Sequence, residues 1–188
     1  MRKFLSLLSV PILIIPLTLI TLWLLKGSHE TSFRWFQVFL LNLIFLPTIA
    51  VFWLRDRHFI SDVDLRNKQE RLVFMGLMLI LSLTNYFDST ILTAPRLIQS
   101  LNLLVFLLIL SMSVITLFWK ISGHMLILSS MILVAYFMKG APAQFLFLIL
   151  PPVALHRYFL KHHSPTQIVA GTVLGFALTF AVLKFSGF

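Results

Sequence analysis

Long apolar stretches are the feature that most constrains this chain. The stretch Phe4–Leu25 runs for 22 residues without a charged side chain, and a helix needs about 20 apolar residues to cross the hydrocarbon core of a bilayer. Six further apolar stretches follow it, at Trp35–Leu54, Leu72–Ser89, Leu97–Trp119, Met125–Met138, Pro142–Leu160 and Thr166–Phe185. Apolar and polar residues do not alternate along these stretches, so the sequence predicts spanning helices rather than membrane strands.

The overall composition favours the same fold class. Hydrophobic residues make up 59% of the 188 residues and charged residues only 11%, whereas about a quarter of a typical soluble domain is charged. The sequence therefore predicts an all-α, polytopic transmembrane bundle that forms a single membrane domain over residues 1–188. No small-residue cleavage site follows Phe4–Leu25, so this segment is predicted to be a retained amino-terminal span.

The charge and cysteine content exclude several classes of site. The formal net charge is +9, which we attribute to basic residues that flank the spans and contact anionic lipids. No basic patch interleaved with aromatic residues occurs, so no nucleic-acid partner is predicted. The chain has no cysteine, which excludes thiolate metal sites and cysteine nucleophiles. Asp62 and Asp64 lie among arginines that can pair with them, and we predict neither a metal nor a cofactor.

The polar connectors are predicted to gather on one side of the membrane. Seven spans place the amino terminus, Arg55–Arg71, Lys120–His124 and Lys161–Pro165 on the same face, which we call the polar face. Of the 15 lysines and arginines, ten belong to this face and five to the other, and an excess of basic residues favours the cytoplasmic side.

Side chains on the polar face are suited to binding and transferring a phosphoryl group. Arg71 and Arg157 can each bind two phosphate oxygens. Ser122-Gly123 stands at a predicted helix start, where backbone N–H groups favour an anion. His124 and His163 come from different spans and offer a nucleophile and a general acid near neutral pH.

Three short segments of this chain resemble, in the same order, the three motifs of the type 2 phosphatidic acid phosphatase superfamily of lipid phosphate phosphatases. The motifs of that family are K-x6-R-P, P-S-G-H and S-R-x5-H-x3-D. Ser122-Gly123-His124 matches the end of the second motif, and Arg157 followed after five residues by His163 matches the third. Arg71 is the best match for the arginine of the first. The resemblance extends from about Arg55 to Phe188 and suggests a divergent bacterial member.

Several positions depart from the family pattern. The differing residues are Asp64 at the spacing of the first lysine, Leu72 and Ile121 at the two prolines, His156 at the serine, and Gln167 at the aspartate. Lys68 or Arg66 is the candidate for the missing lysine. Glutamine can accept a hydrogen bond from an imidazole but carries no charge to stabilise an imidazolium, so Gln167 predicts weakened activity.

The resemblance implies a fold, a reaction and a role for each matched residue. The fold would be a six-helix phosphatase-like core over residues 35–188 with one additional amino-terminal span over residues 4–25. His163 would attack phosphorus to form a phosphohistidine, His124 would protonate the leaving alkoxide, and Gln167 would orient His163. The phosphate oxygens would be held by Lys68, Arg71, Ser122, Gly123 and Arg157. No metal would be required.

The implied substrate is a lipid carrying a phosphate monoester or a pyrophosphate, and the implied location is a bacterial inner membrane. Two other functions stay open at this point. The first is a catalytically impaired, phosphatase-like subunit that binds lipid or another membrane protein, and the second, weaker one is a small transporter. A second copy of the chain is a further partner that the sequence leaves open.

Overall fold

The computed structural model describes residues 37–38, 41–59, 61 and 67–187. Within these residues every regular element is a helix and no strand occurs. A π-helical segment, Leu41–Phe45, leads into α1 (Leu46–Asp56). The remaining helices are α2 (Lys68–Ile91), α3 (Arg96–Phe118), α4 (Gly123–Lys139), α5 (Leu150–Phe159) and α6 (Pro165–Phe185), with a 3₁₀ segment, Ala141–Ile149, before α5.

Three of these helices, α2, α3 and α6, are long and apolar enough to cross a membrane. The longest, α2, has 24 residues, about 36 Å at the rise of an α-helix. The apolar helix α4 is shorter, at 17 residues. The all-helical fold is therefore confirmed for the described residues, and the three long apolar helices are consistent with an integral membrane protein, while the count of seven spans stays a prediction. The predicted span Phe4–Leu25 and part of Trp35–Leu54 lie outside the described residues.

Two of these three long helices begin at polar caps that precede their apolar stretches. The Asn67 side chain accepts a hydrogen bond from the Gln69 N–H at 3.0 Å and caps α2. At α6 the Ser164 hydroxyl accepts from the Gln167 N–H at 3.3 Å, while the Gln167 amide oxygen accepts from the Ser164 N–H at 3.1 Å. Such reciprocal bonds satisfy N–H groups that a helix start leaves without intrahelical partners.

The predicted span Pro142–Leu160 changes helical form in the middle. Its first half is the 3₁₀ segment, and the α-helical half begins at Leu150. Pro151 and Pro152 occupy the first positions after Leu150. Proline has no N–H to donate, so it is tolerated at the first turn of an α-helix and not in its interior. The proline pair therefore explains why α5 starts at this point.

The described chain divides into two compact units, with the boundary between Phe118 and Trp119. In the amino-terminal unit, α2 and α3 form a hairpin closed by a turn in which the Ala94 N–H donates to the Ser89 carbonyl at 2.9 Å. Asn102 of α3 donates to the Asn85 carbonyl of α2 at 3.3 Å. Such interhelical hydrogen bonds stabilise helix pairs in the membrane interior.

The carboxy-terminal unit packs α4 against α5 and α6. Its apolar core consists of Met125, Leu128 and Ile132 from α4 with Val153 from α5 and Ile168 from α6. This core joins the first halves of α4 and α5 to the first turn of α6. Of the residues predicted to carry chemistry, this unit contains the Ser122-Gly123-His124 segment around the start of α4, Arg157 in the last turn of α5, and His163 and Gln167 around the start of α6.

Candidate active site

Close packing of α4 on α6 brings two predicted motifs together. A methyl group built on Gly171 would lie 2.5 Å from the Ser122 carbonyl oxygen, and one built on Gly175 would meet the Leu126 carbonyl and the Ser129 hydroxyl. Only glycine permits this approach, as in other small-xxx-small helix contacts. The Ser122 N–H then donates to the Gln167 carbonyl at 3.1 Å. The Ser122-Gly123-His124 segment is thereby fixed against the start of α6.

The Gln167 side chain connects the start of α6 to His163. Its Oε1 accepts from the Ser164 N–H at 3.1 Å and lies 3.3 Å from His163 Nδ1. The Ser164 N–H can only donate, so the Gln167 atom that faces it is the oxygen and not the NH₂ group. The same oxygen cannot donate to His163, so Nδ1 must carry the proton. In the neutral ring, the lone pair is then on Nε2.

Burial and neighbouring charges keep the His163 ring neutral. The side chain is only 9% exposed. Its pKa falls from 6.5 to about 3, first through burial and then through the positive charges of Lys120 and Arg157, with a smaller contribution from His162. The hydrogen bond to Gln167 acts in the opposite direction. At neutral pH the ring is therefore unprotonated, as a nucleophile must be.

Arg157 comes from the last turn of α5 and is 4% exposed. Its Nη2 lies 3.5 Å from His162 Nδ1, and its carbonyl accepts from the His162 N–H at 3.3 Å. The chain turns back through Lys161, which has a left-handed φ of 56°. This turn places His162 and His163 beside the arginine, and a buried guanidinium there is suited to holding phosphate oxygens.

The first turn of α4 supplies the other predicted phosphate contacts. Ser122 is completely buried and precedes the helix, but its side chain does not cap it. Among the described residues, Ser122 Oγ has no hydrogen-bond partner. Gly123 is the first residue of α4, where N–H groups point out of the helix. His124 follows it and is half-buried.

Lys68 and Arg71 belong to the amino-terminal unit. The Lys68 ammonium donates to the Leu117 carbonyl at 2.7 Å, which satisfies a free carbonyl at the end of α3. Arg71 is half-buried in the first turn of α2, and its Nε has no partner within the described part of the chain. Arg66, Asp62 and Asp64 lie outside the described residues.

The structure therefore brings Ser122, Arg157, His163 and Gln167 together within one unit. Sequence reasoning placed Lys120 outside the site, although its charge acts on His163. The sequence feature that could have identified Lys120 is its position two residues before Ser122, next to the helix start that is predicted to bind an anion. His162, which contacts Arg157, was likewise not among the predicted site residues.

No group of three or more histidine, aspartate or glutamate side chains that could hold a metal ion occurs in the described ranges. Comparisons with protein-family models, with curated proteins and with solved structures find no match to this chain.

Proposed function

We propose that this protein is a membrane lipid phosphatase that hydrolyses a lipid phosphate monoester or pyrophosphate through a phosphohistidine on His163, without a metal. The observation that carries the proposal is the state of His163. Its ring is buried and neutral, its Nδ1–H is held by Gln167 Oε1, and the buried Arg157 lies in the same cluster. A buried arginine near a neutral imidazole suits a site in which the ring nitrogen accepts a phosphoryl group from a negatively charged phosphate.

The proposed first step transfers the phosphoryl group to the protein. His163 Nε2 donates its lone pair to phosphorus, and the bond from phosphorus to the lipid oxygen breaks. His124, in its protonated form, gives its proton to the leaving oxygen. Arg157, Ser122 Oγ and the Gly123 N–H stabilise the charge on the phosphoryl oxygens.

The second step returns the protein to its starting state. Water attacks the phosphorus of the phosphohistidine, His124 accepts one proton from that water, and the bond between nitrogen and phosphorus breaks. Inorganic phosphate leaves, His163 regains its lone pair and His124 its proton. Because Gln167 carries no charge, it holds the positively charged phosphorylated ring less well than a carboxylate does.

The proposed architecture follows from the resemblance to the lipid phosphate phosphatases, and the proposed cytoplasmic side follows from the excess of basic residues on the polar face. The six-helix core over residues 35–188 and the additional span over residues 4–25 lie in a bacterial inner membrane, with the site near the cytoplasmic face. The lipid enters sideways from the bilayer, so that only its phosphate headgroup reaches His163. The anionic lipids of that face attract the basic connectors.

Turnover by the purified protein in detergent tests the proposal. The wild type is expected to release phosphate from phosphatidic acid, phosphatidylglycerophosphate or a polyprenyl pyrophosphate in the presence of a metal chelator. His163→Asn is expected to abolish release, because asparagine keeps a donor for Gln167 Oε1 and lacks the nucleophile. The matched control is His58→Asn, since His58 is exposed and its φ of 59° is one that asparagine tolerates.

The alternative is a phosphatase-like subunit that binds lipid without turnover, and the neutral amide of Gln167 is the observation that favours it. Under this alternative the wild type releases no phosphate from any of these lipids and copurifies with another membrane protein. That result would contradict the enzymatic proposal. Phosphate release that His163→Asn leaves unchanged would also contradict it.

A further inference from the structure

The lysine that the family resemblance assigns to phosphate has another role in this chain. Lys68 Nζ donates to the Leu117 carbonyl at 2.7 Å, at the carboxyl end of α3. The last carbonyls of a helix lack intrahelical partners and carry partial negative charge, so a lysine there is stabilising. Lys68 thus has a structural function within the α2–α3 hairpin.

Lys120 occupies the segment that is fixed against the predicted site. Residues 119–122 are not helical, and they lead directly into α4. Ile121 is buried, and the Ser122 N–H donates to the Gln167 carbonyl at 3.1 Å. The burial of Ile121 and the hydrogen bond from Ser122 fix the backbone that directly follows Lys120. The backbone of Lys120 is therefore held in the unit that contains His163.

The electrostatics of His163 agree with this placement. Among the charged groups that lower the pKa of His163, Lys120 has the largest effect, ahead of Arg157 and His162. Coulomb interactions fall off with distance, so this effect agrees with the place of Lys120 two residues before Ser122, whose N–H donates to the Gln167 carbonyl. Lys120 is also half-buried rather than fully extended into solvent.

We propose that Lys120, and not Lys68, is the lysine that binds the phosphate group in this site, together with Arg157. The proposal rests on the proposed function for the identity of the ligand, a tetrahedral phosphate oxyanion. A compact ammonium supplies a point charge to one phosphate oxygen, while the planar guanidinium of Arg157 can bind two. The carboxy-terminal unit then provides both cations from its own residues.

Binding of inorganic phosphate to the purified full chain, measured by calorimetry in detergent, tests this proposal without requiring turnover. Lys120→Met removes the charge and keeps the length of the side chain, and it is expected to weaken phosphate binding by about tenfold. Lys68→Met is expected to change the affinity by no more than about twofold. Lys161→Met, at an exposed position in the turn before His162, is the matched control.

A second readout separates a direct charge effect from a change in folding. Removing the positive charge of Lys120 is expected to raise the pKa of His163. This pKa is measured by nuclear magnetic resonance of the isotope-labelled ring. Arg157, His162 and the Gln167 hydrogen bond, which also act on that ring, are unchanged in this variant. Lys68→Met and Lys161→Met are expected to leave the titration where it is.

The inference is overturned if the wild type does not bind phosphate, if Lys120→Met binds it as tightly as the wild type, or if Lys68→Met weakens binding as much as Lys120→Met. Its failure differs from failure of the proposed function. Phosphate binding that depends on Lys120 in a protein without turnover would leave this inference standing alone. If the protein turns over lipid phosphates but its phosphate binding does not depend on Lys120, the proposed function stands and this inference fails.

Discussion

At the scale of single residues, Gln167 fixes which nitrogen of the neutral His163 ring carries the proton. One amide oxygen accepts from both the Ser164 N–H and His163 Nδ1, so the position that orients the histidine also caps α6. The family resemblance implied the orienting role, because Gln167 stands at the position of the family's aspartate. It could not reveal that the acceptor is shared, because the shared bond depends on the backbone geometry of the helix start.

Gln167→Glu is expected to convert the weak orienting residue into a strong one. Glutamate has the same shape, keeps both hydrogen bonds and adds a negative charge beside His163, so it raises the pKa of the ring from about 3 toward its ordinary value. The positively charged phosphohistidine is stabilised as well, and we expect kcat at neutral pH to rise by about tenfold.

A pH–rate profile checks the sign of this change. His163 must be neutral to attack, so activity is lost as pH falls through its pKa. The acidic limb of the Gln167→Glu profile is therefore expected to lie at higher pH than that of the wild type. Gln167→Leu, which removes the acceptor, serves as the control and is expected to lose activity. An acidic limb that stays in place in Gln167→Glu would contradict the assigned contact.

At the scale of helices, the apolar stretches located the elements but not their ends. The stretch predicted as Leu72–Ser89 belongs to Lys68–Ile91, and Thr166–Phe185 belongs to Pro165–Phe185. Apolar composition marks only the part of a helix that suits lipid, whereas α2 begins at its polar cap, Asn67. The change from 3₁₀ to α-helix at Leu150 likewise leaves no trace in hydropathy, because it follows from prolines without N–H donors.

Gly171→Ala tests whether helix packing positions the site. The added methyl would lie 2.5 Å from the Ser122 carbonyl, so α4 and α6 must separate and the bond from the Ser122 N–H to the Gln167 carbonyl must lengthen. We expect a loss of about 1–3 kcal/mol in stability, and a fall in kcat of about a hundredfold from misplacement of the Ser122-Gly123-His124 segment.

Gly76→Ala is the matched control for that substitution. Gly76 lies within α2, and within the described part of the chain the added methyl would meet nothing within 4 Å beyond its chain neighbours and the backbone of its own helix. Alanine is the better helix former by roughly 0.5–1 kcal/mol, so this variant is expected to equal or exceed the wild type in resistance to unfolding by denaturing detergent. Equal behaviour of the two glycine variants would contradict the positioning role of Gly171.

At the scale of the whole molecule, the order of spans predicted which connectors share a face but not which side chains meet. The segments around Ser122 and His163 do come together in one unit, through the bond from the Ser122 N–H to the Gln167 carbonyl. The number of spans between two connectors predicts only whether the connectors lie on the same face, and it does not predict how far apart their side chains are. The proposal of Lys120 over Lys68 rests on where helix packing places the segment before α4, which a single sequence does not encode in a short motif.

Trapping of the phosphorylated protein is the most direct measurement of the central claim. The wild type is mixed with a lipid carrying a labelled phosphate and quenched in alkali, and the label is located by mass spectrometry. The account predicts label on His163 that is stable to alkali and labile to acid, as a bond between nitrogen and phosphorus is, and it predicts none in His163→Asn. Phosphate release without any label on His163, or label that persists in His163→Asn, would contradict it.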